Sequence, residues 1–371
     1  MGIRSPKGEG FYSPRAASSL IDGFPRIPYN QCGVMDMAIT AKELAARLGL
    51  SEAAVSLALN NKPGVSTATR KRVLDAAREL GFDFSRRNVS STSKKGAICF
   101  AIYKKSGAVV DDTPFFSSVS DGINAYCRQE RYDCVVRYLY EDEDLSDQIY
   151  TLSSSQFSGI ILLATEMDEA TLRFFSRIKL PMVFLDAYFE KLDCNYIMIN
   201  NIQGAFMATE YLIRKRRTQP GYLRSAYWIS NFEQRADGFY KAIRAAGMST
   251  SKSLVHRLTP SQDGAYADMR RLLQGGEEPA NCYFADNDLI AIGAMQALKE
   301  AGYRIPEDVA IIGFDDLPAC EYMDPTLSTV EVPKAFLGQT TAMRIIQLIE
   351  NKDSPPLKIE VSTRLKPRRS V

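Results

Sequence analysis

The sequence predicts an N-terminal all-α helix-turn-helix domain followed by an α/β region of two doubly wound parallel-sheet lobes. Three observations carry this. Residues Ile39 to Phe82 hold three short helical apolar stripes bounded by capping residues. From Gly96 onward, strand-like apolar runs alternate with helix-like stripes, the pattern of parallel sheets covered by helices. These units are too numerous for one comfortable sheet, so two similar lobes with a cleft between them fit better.

In the helical stretch, Thr40 and Glu43 form a capping box, and Ile39, Leu44, Ala45 and Leu48 make the first stripe. Gly49 stops that helix, because glycine enters the left-handed conformation without strain. Ser51 caps the second helix. Val55, Ala58 and Leu59 face its core, and Glu52, Ala53, Ser56 and Leu57 lie elsewhere on its surface. Pro63-Gly64 breaks the chain, and Ser66 caps a third helix carrying Val73, Leu74, Ala77 and Leu80. Two short helices joined by a tight turn suit the major groove of duplex DNA. A small helical bundle with no DNA role would show the same stripes.

Beyond Gly96, strands are expected at Ala97–Tyr103, Cys134–Tyr138, Gly159–Ala164, Met182–Asp186, Ala226–Ser230, Asn281–Ala285 and Val309–Phe314. Helices are expected at Phe115–Arg131, Gln148–Ser154, Gly204–Lys215, Gln234–Ala246, Leu289–Ala301 and Leu337–Glu350. The domains are then a disordered tail over 1–34, rich in Pro, Gly, Ser and Arg, and a helix-turn-helix domain over 35–82. A polar linker over 83–95 leads into the two-lobed region over 96–371. Met35 or Met37 is an alternative start.

A chain of 371 residues, 45% hydrophobic and 24% charged, has the size and composition of a soluble protein of two or three domains. It has no apolar run of bilayer length, and its first thirty residues lack the apolar core of an export signal. A cytoplasmic location and no membrane partner are expected. The seven cysteines, at 32, 99, 127, 134, 194, 282 and 320, include no CxxC and read as reduced thiols rather than a disulfide frame or zinc site. The single histidine, His256, leaves little room for a histidine-based triad or metal site. With no GxSxG, P-loop or GxGxxG after a strand, no catalytic residue, metal or cofactor is expected. Net charge is only +2, yet eleven Lys and Arg face six Asp and Glu between Met35 and Lys95. That local excess suits phosphate contacts.

Specific wording adds to these patterns. The helical stretch contains Ile39-Thr40, Leu44-Ala45, Leu48-Gly49, Ser51, Val55-Ser56, Leu59-Asn60-Asn61, Lys62-Pro63-Gly64-Val65-Ser66, Thr69-Arg70 and Arg72-Val73-Leu74. Further on come Pro114-Phe115-Phe116, Gly122-Ile123, Gly159-Ile160-Ile161, Pro181, Asp186, Gly204-Ala205, Arg235 with Gly238-Phe239, Asn287-Asp288, Gly313-Phe314-Asp315-Asp316 and Leu337-Gly338. From about Ile39 to Ser370 the chain resembles the LacI/GalR family of bacterial transcription regulators. The resemblance implies a periplasmic-binding-protein-like sensor in the two lobes and a double-stranded DNA operator as partner. It also implies a small-molecule, carbohydrate-like effector in the cleft and a repressor's role. The chain ends at TRLKPRRSV without a leucine-rich tail, so a homodimer is expected rather than a tetramer.

The resemblance also assigns residues. Glu52, Ala53 and Leu57 would face base edges, Ser56 and Asn60 would make phosphate and groove contacts, and Thr40 and Ser51 would stand at helix caps beside the DNA. Leu57 replaces an Arg of many relatives, exchanging a bidentate guanine contact for apolar contact with a thymine methyl. In the linker, relatives carry Tyr-x-Pro-Asn-x-x-Ala-Arg-x-Leu, whose Leu wedges into the minor groove. Here Phe82, Phe84, Ser85, Asn88, Val89 and Ser91 stand at corresponding positions, and Ser91 is no apolar wedge. Either kinking is weaker, Phe84 or Val89 substitutes, or the segment is a plain tether.

In the cleft, Asp186, Arg235, Asn287 and Asp315 match polar effector positions, Phe115 and Phe116 match an aromatic pair at the mouth, and Asn231 joins them. Such a set suits a polyhydroxylated ligand. Alternatively, Arg235 and Asp315 only pair with each other between the lobes. Val332, where relatives often have Gln, and Lys334 point to an anionic or unusual effector, unless Lys334 faces solvent. Lys215-Arg216-Arg217 reads as a solvated helix end. Control by a protein co-repressor or a non-sugar effector, and a stand-alone solute-binding protein, remain alternatives.

Overall fold

The computed structural model describes residues 39–59, 64–80, 82, 94–105, 107, 109–110 and 114–371. The expected tail over 1–34, the site residue Asn60, and the linker residues Phe84, Ser85, Asn88, Val89 and Ser91 lie outside them. The chain divides near residue 92 into two compact units.

The first unit holds α1 (Ala41–Leu48), α2 (Glu52–Leu59) and α3 (Thr67–Glu79). Both halves of the capping box form: the Glu43 N–H donates to Thr40 Oγ1 at 3.2 Å, and the Thr40 N–H donates to Glu43 Oε2 at 2.8 Å. Gly49 takes φ 62° as the C-cap of α1, and the Ser66 side chain accepts from the Thr69 N–H. Leu44, Ala45, Val55, Ala58, Leu59, Val73 and Ala77 are the buried core. Arg72 Nη2 donates to the Leu48 carbonyl at 3.0 Å, so one cation of the basic excess ties α3 to the end of α1.

In the second unit, the first lobe is built on a six-stranded sheet. Its strands are β1 (Gly96–Lys104), β2 (Tyr132–Tyr140), β3 (Gly159–Leu163), β4 (Met182–Leu185), β5 (Tyr196–Ile199) and β11 (Lys358–Val361). They run all parallel in the order β11-β5-β4-β3-β1-β2. The second lobe has β6 (Gly221–Ser225), β7 (Val255–Leu258), β8 (Cys282–Ala285) and β9 (Ala310–Ile312), also parallel, in the order β7-β6-β8-β9. Each lobe therefore reverses its strand order beside its first strand, the doubly wound pattern. Helices α4 (Phe115–Gln129), α5 (Leu145–Ser154) and α6 (Glu169–Phe175) serve the first lobe. Helices α7 (Asn201–Arg216), α8 (Ser230–Ala245), α9 (Gln262–Gln274) and α10 (Asp288–Glu300) serve the second, with a short α11 (Ala319–Tyr322).

The chain crosses between lobes three times: from β5 into α7, from β10 (Thr329–Glu331) into α12 (Lys334–Glu350), and from β11 to β12 (Arg364–Lys366). β10 and β12 pair antiparallel. Helix α12, late in sequence, packs on α4 of the first lobe. A Cβ at Gly338 would stand 2.1 Å from the Val119 carbonyl oxygen, and one at Gly122 would stand 2.1 Å from that of Ala335. Only hydrogen at both positions lets the two helices approach so closely.

The strand expected at Ala226–Ser230 is a misreading. The strand is β6, and Ser230 already begins α8. Tyr222 is buried, stacks on Phe239 with centroids 4.7 Å apart and donates from its hydroxyl to Asp286. Tyr227 and Trp228, inside the expected strand, are exposed in the turn that follows. Periodicity also missed α6, α9, β5, β7, β10, β11 and β12, most of them too short to show a period. No helix of the described residues is long and apolar enough to cross a membrane.

Candidate functional site

The carboxyl ends of parallel strands are where doubly wound folds leave room for ligands. Phe115 and Phe116 begin α4, after β1. Thr165 and Asp186 follow β3 and β4. Asn231 and Arg235 lie at the start of α8, after β6, and Asn287 and Asp315 follow β8 and β9. These eight residues line one cleft, with Val109, Ile229 and Phe232. The structure thus brings together Phe115, Phe116, Asp186, Asn231, Arg235, Asn287 and Asp315, residues up to 200 positions apart in the sequence.

Arg235 is the most constrained of them. Its Nε donates to Asn201 Oδ1 at 2.9 Å, Nη1 donates to the Asp286 carbonyl, and Nη2 lies 3.2 Å from Asp315 Oδ1. Its guanidinium carbon sits 3.8 Å from the centroid of the Phe314 ring. Arg235 and Asp315 do pair, but both belong to the second lobe, so the pair does not bridge the lobes. Asn231 does: its Nδ2 donates to the Asp186 carbonyl of the first lobe at 3.0 Å, and its Oδ1 accepts from Asn201 Nδ2 at 3.1 Å. Asn287 caps α10, its Oδ1 accepting from the Ile290 N–H; its Nδ2 is the group left to a ligand.

Two of the site carboxylates stand on strained backbone. Asp186 has φ 62° and Asp315 φ 113°, and Asp316 beside it has φ 53°. Such conformations cost about 1–3 kcal/mol each and persist where surroundings enforce them. Lys334 supplies part of that enforcement, donating from Nζ to the carbonyls of Asp315 and Asp316 at 2.5 and 3.0 Å. Lys334 therefore neither faces solvent freely nor stands open for an anion; it holds the Asp315 turn.

Burial pushes the Asp186 carboxyl up to about 6, against the hydrogen bond from Thr165 and the attraction of Arg235. Asp286, buried beneath the cleft, is likewise raised to about 6, although Ser225 N–H and Tyr222 donate to it. Burial also raises Asp315, opposed by Arg235 and Lys334. The cleft is thus rich in acceptors that keep protons more readily than free carboxylates do.

The sequence reading missed Thr165, Asn201 and Asp286. Thr165 Oγ1 donates to Asp186 Oδ2 at 2.8 Å, and Asn201 links Arg235 to Asn231. The available signal was position: Asn200-Asn201 and Asp286-Asn287-Asp288 each stand at a strand-to-helix junction.

In the helical unit, Glu52, Ala53 and Ser56 lie on the exposed face of α2, opposite Val55, Ala58 and Leu59. Leu57 is half-buried, with its Cδ1 3.1 Å from where a Gly64 Cβ would stand. Thr40 and Ser51 are exposed caps, Ser51 Oγ accepting from the Ala54 N–H at 3.2 Å. Among the described residues no group of three His, Cys, Asp or Glu is placed to hold a metal.

Known proteins match both units. The model of bacterial regulatory proteins, lacI family, matches residues 40–84, and that of a periplasmic binding protein-like domain matches residues 209–371. The chain is similar to the HTH-type transcriptional repressor PurR of Mannheimia succiniciproducens, 28% identical over 338 residues, covering 90% of this chain and 98% of that protein. It is similar to the ribose operon repressor of Haemophilus influenzae, 28% identical over 316 residues, 84% of this chain and 92% of that one. A lac repressor dimer solved with operator and the anti-inducer ONPF shares the fold, with a TM-score of 0.65 and 21% identity over 90% of this chain and 98% of that one.

Proposed function

We infer that this chain, which belongs to the lacI family of bacterial regulatory proteins, is a DNA-binding transcription repressor controlled by a small polar effector in the interlobe cleft. The observation that carries the effector site is the convergence of seven residues from both lobes on one cleft. Its buried guanidinium, carboxylates, amides and paired phenyl rings offer fixed donors and acceptors beside an apolar platform, the requirements of a polyhydroxylated ligand. Asn231, bonded to the Asp186 carbonyl across the lobes, gives such a ligand a means to change how the lobes meet. A ligand that binds one lobe arrangement better than another shifts the population toward it.

Operator reading falls to the exposed face of α2, with Glu52, Ala53 and Ser56 turned outward and Asn60 beyond its end. Two copies of the chain would present two such helices to a pseudo-palindromic site. The relatives are named as repressors, and we assign this chain no catalytic role and a cytoplasmic location.

Selection from a random duplex pool tests the reading, followed by affinity measurements with and without sugars. The expected result is an enriched two-half-site sequence whose affinity changes with a sugar, and a response that Arg235→Ala removes. Binding with no sequence preference would overturn the operator reading. A sugar response surviving in Arg235→Ala would overturn the cleft assignment.

A further inference from the structure

Six cysteines fall among the described residues, and two of them meet in the first lobe. Cys127 lies in the last turn of α4, and Cys134 lies near the start of β2. The chain turns between them, and α4 packs back on β2. The two sulfurs come within hydrogen-bonding reach, the Cys127 thiol donating to Cys134 Sγ.

The two thiols differ in access. Cys127 is fully buried in the core. Cys134 is half-buried, and β2 is the outermost strand of the six-stranded sheet, paired on one side by β1. They also differ in how tightly they hold their protons. The hydrogen bond from Cys127 holds the Cys134 thiol below its ordinary value of 9.0, against burial. That same bond, together with burial, pushes the Cys127 thiol well above it. No other described thiol is lowered. Burial raises Cys99 and Cys282 to about 12, and it raises Cys194 and Cys320 as well. Peroxides are attacked by thiolates rather than thiols. A reachable sulfur that ionises more readily, next to a second thiol, is the arrangement of an oxidisable cysteine with its resolving partner.

We propose that Cys127 and Cys134 are a redox pair: hydrogen peroxide oxidises Cys134, Cys127 resolves it, and the disulfide staples the end of α4 to β2. In the first step the Cys134 thiolate attacks one peroxide oxygen and the O–O bond breaks. The hydroxide released takes up the proton that Cys134 lost and leaves as water, and Cys134 becomes a sulfenic acid. In the second step Cys127 Sγ attacks Cys134 Sγ and the S–O bond breaks. The departing hydroxide takes the Cys127 proton and leaves as a second water. Two thiols have then lost two electrons to one peroxide. A dithiol reductant reverses the bond by exchange. The staple acts on a helix that matters to the cleft, because α4 begins with Phe115 and Phe116 and packs on α12 at Gly122 and Gly338.

The full-length protein is reduced, treated with hydrogen peroxide and digested without reductant. Trypsin cuts after Arg128 and Arg131, between the two cysteines. The expected product is the peptide ending at Arg128 joined to the peptide from Tyr132 to Arg137, lighter by two hydrogens than the separate pair and split by dithiothreitol. Cys127→Ser should stop at the sulfenic acid, trapped on Cys134 by dimedone. Cys134→Ser should leave Cys127 unmodified at the peroxide concentration that oxidises the parent. In the oxidised parent, hydrogen exchange should slow at the end of α4 and the start of β2 and stay unchanged in β6 to β9. Absence of the joined peptide from the oxidised parent overturns the proposal without relying on any variant to fold, and so does Cys134 joined to a different cysteine. Dimedone on Cys127 in Cys134→Ser at the parent's rate overturns the assignment of Cys134 as the attacking sulfur. Exchange that is equal in the reduced and oxidised parent overturns the staple.

Discussion

The helical unit and the two-lobed unit place their polar residues in opposite ways. In the helical unit the caps are local: Thr40 with Glu43, Ser51 with Ala54 and Ser66 with Thr69 each span three residues, and all are exposed. In the cleft the bonds are buried and distant, joining Arg235 to Asn201, Asp286 and Asp315 over separations of 34, 51 and 80 residues. A surface that reads DNA needs outward groups on a rigid frame. A pocket that reads a small molecule needs buried groups, and buried groups are costly unless each is paired. The cleft is therefore the more strained and more interdependent region.

The contrast is sharpest at Arg235. Arg235→Ala leaves Asp315, Asn201 and the Asp286 carbonyl without a buried donor, and breaking a buried pair costs about 3–5 kcal/mol. Denaturant unfolding followed by Trp228 fluorescence should show that loss in the two-lobed unit, whereas Glu52→Ala on exposed α2 should leave stability within about 0.5 kcal/mol. Equal costs at the two positions would erase the distinction.

The pH response separates the units next. Burial raises the Asp288 carboxyl from 3.8 to about 7, a displacement worth on the order of 4 kcal/mol. Its folded value lies above its unfolded one. The folded state therefore holds the proton longer, and stability falls as pH rises from about 4 through 7. Asp288→Asn mimics the neutral acid, since its amide can keep both the Leu317 N–H and the Thr329 hydroxyl as partners. Its stability relative to the parent should thus grow across that window. In the helical unit the sign reverses. The Thr40 N–H and hydroxyl hold the Glu43 carboxyl below its ordinary value of 4.5, so its contribution is present above that pH and lost as pH falls through the lowered value. A parent-to-variant difference that stays flat between pH 4 and 7 would refute the assignment at Asp288.

Gly338→Ala forces a methyl against the Val119 carbonyl and should cost about 1–3 kcal/mol in the two-lobed unit. Among the described residues of the DNA-reading unit no glycine is approached so closely: a Cβ at Gly49 would meet nothing within 4 Å, and one at Gly64 would stand 3.1 Å from Leu57 Cδ1. The smallest expected effect is Thr40→Ala, about 1 kcal/mol, read as faster hydrogen exchange at the start of α1 with the lobes unchanged. Four large side chains, Leu44, Val55, Leu59 and Val73, fill the helical core, so even this loss should weaken operator binding.

The sequence by itself determined the helical unit. Its caps, its Gly49 stop and its seven core positions follow from spacings of three and four residues, short enough to lie inside one helical window. The alternation of strands and helices was legible for the same reason, as was the pair of lobes. Strands of three or four residues such as β7, β10 and β12 carry too little pattern, and the strand expected at Ala226–Ser230 falls where the chain turns after β6 with Tyr227 and Trp228 exposed. Resemblance supplied the candidate cleft residues, but only tertiary structure decided what each one touches. Arg235 and Asp315 pair inside one lobe, Lys334 holds a strained turn, and Thr165, Asn201 and Asp286 complete the network. The cleft is made where the carboxyl ends of two separate sheets meet, and which ends meet depends on three chain crossings and on how the lobes close over buried charge. No local spacing in the sequence encodes that distance.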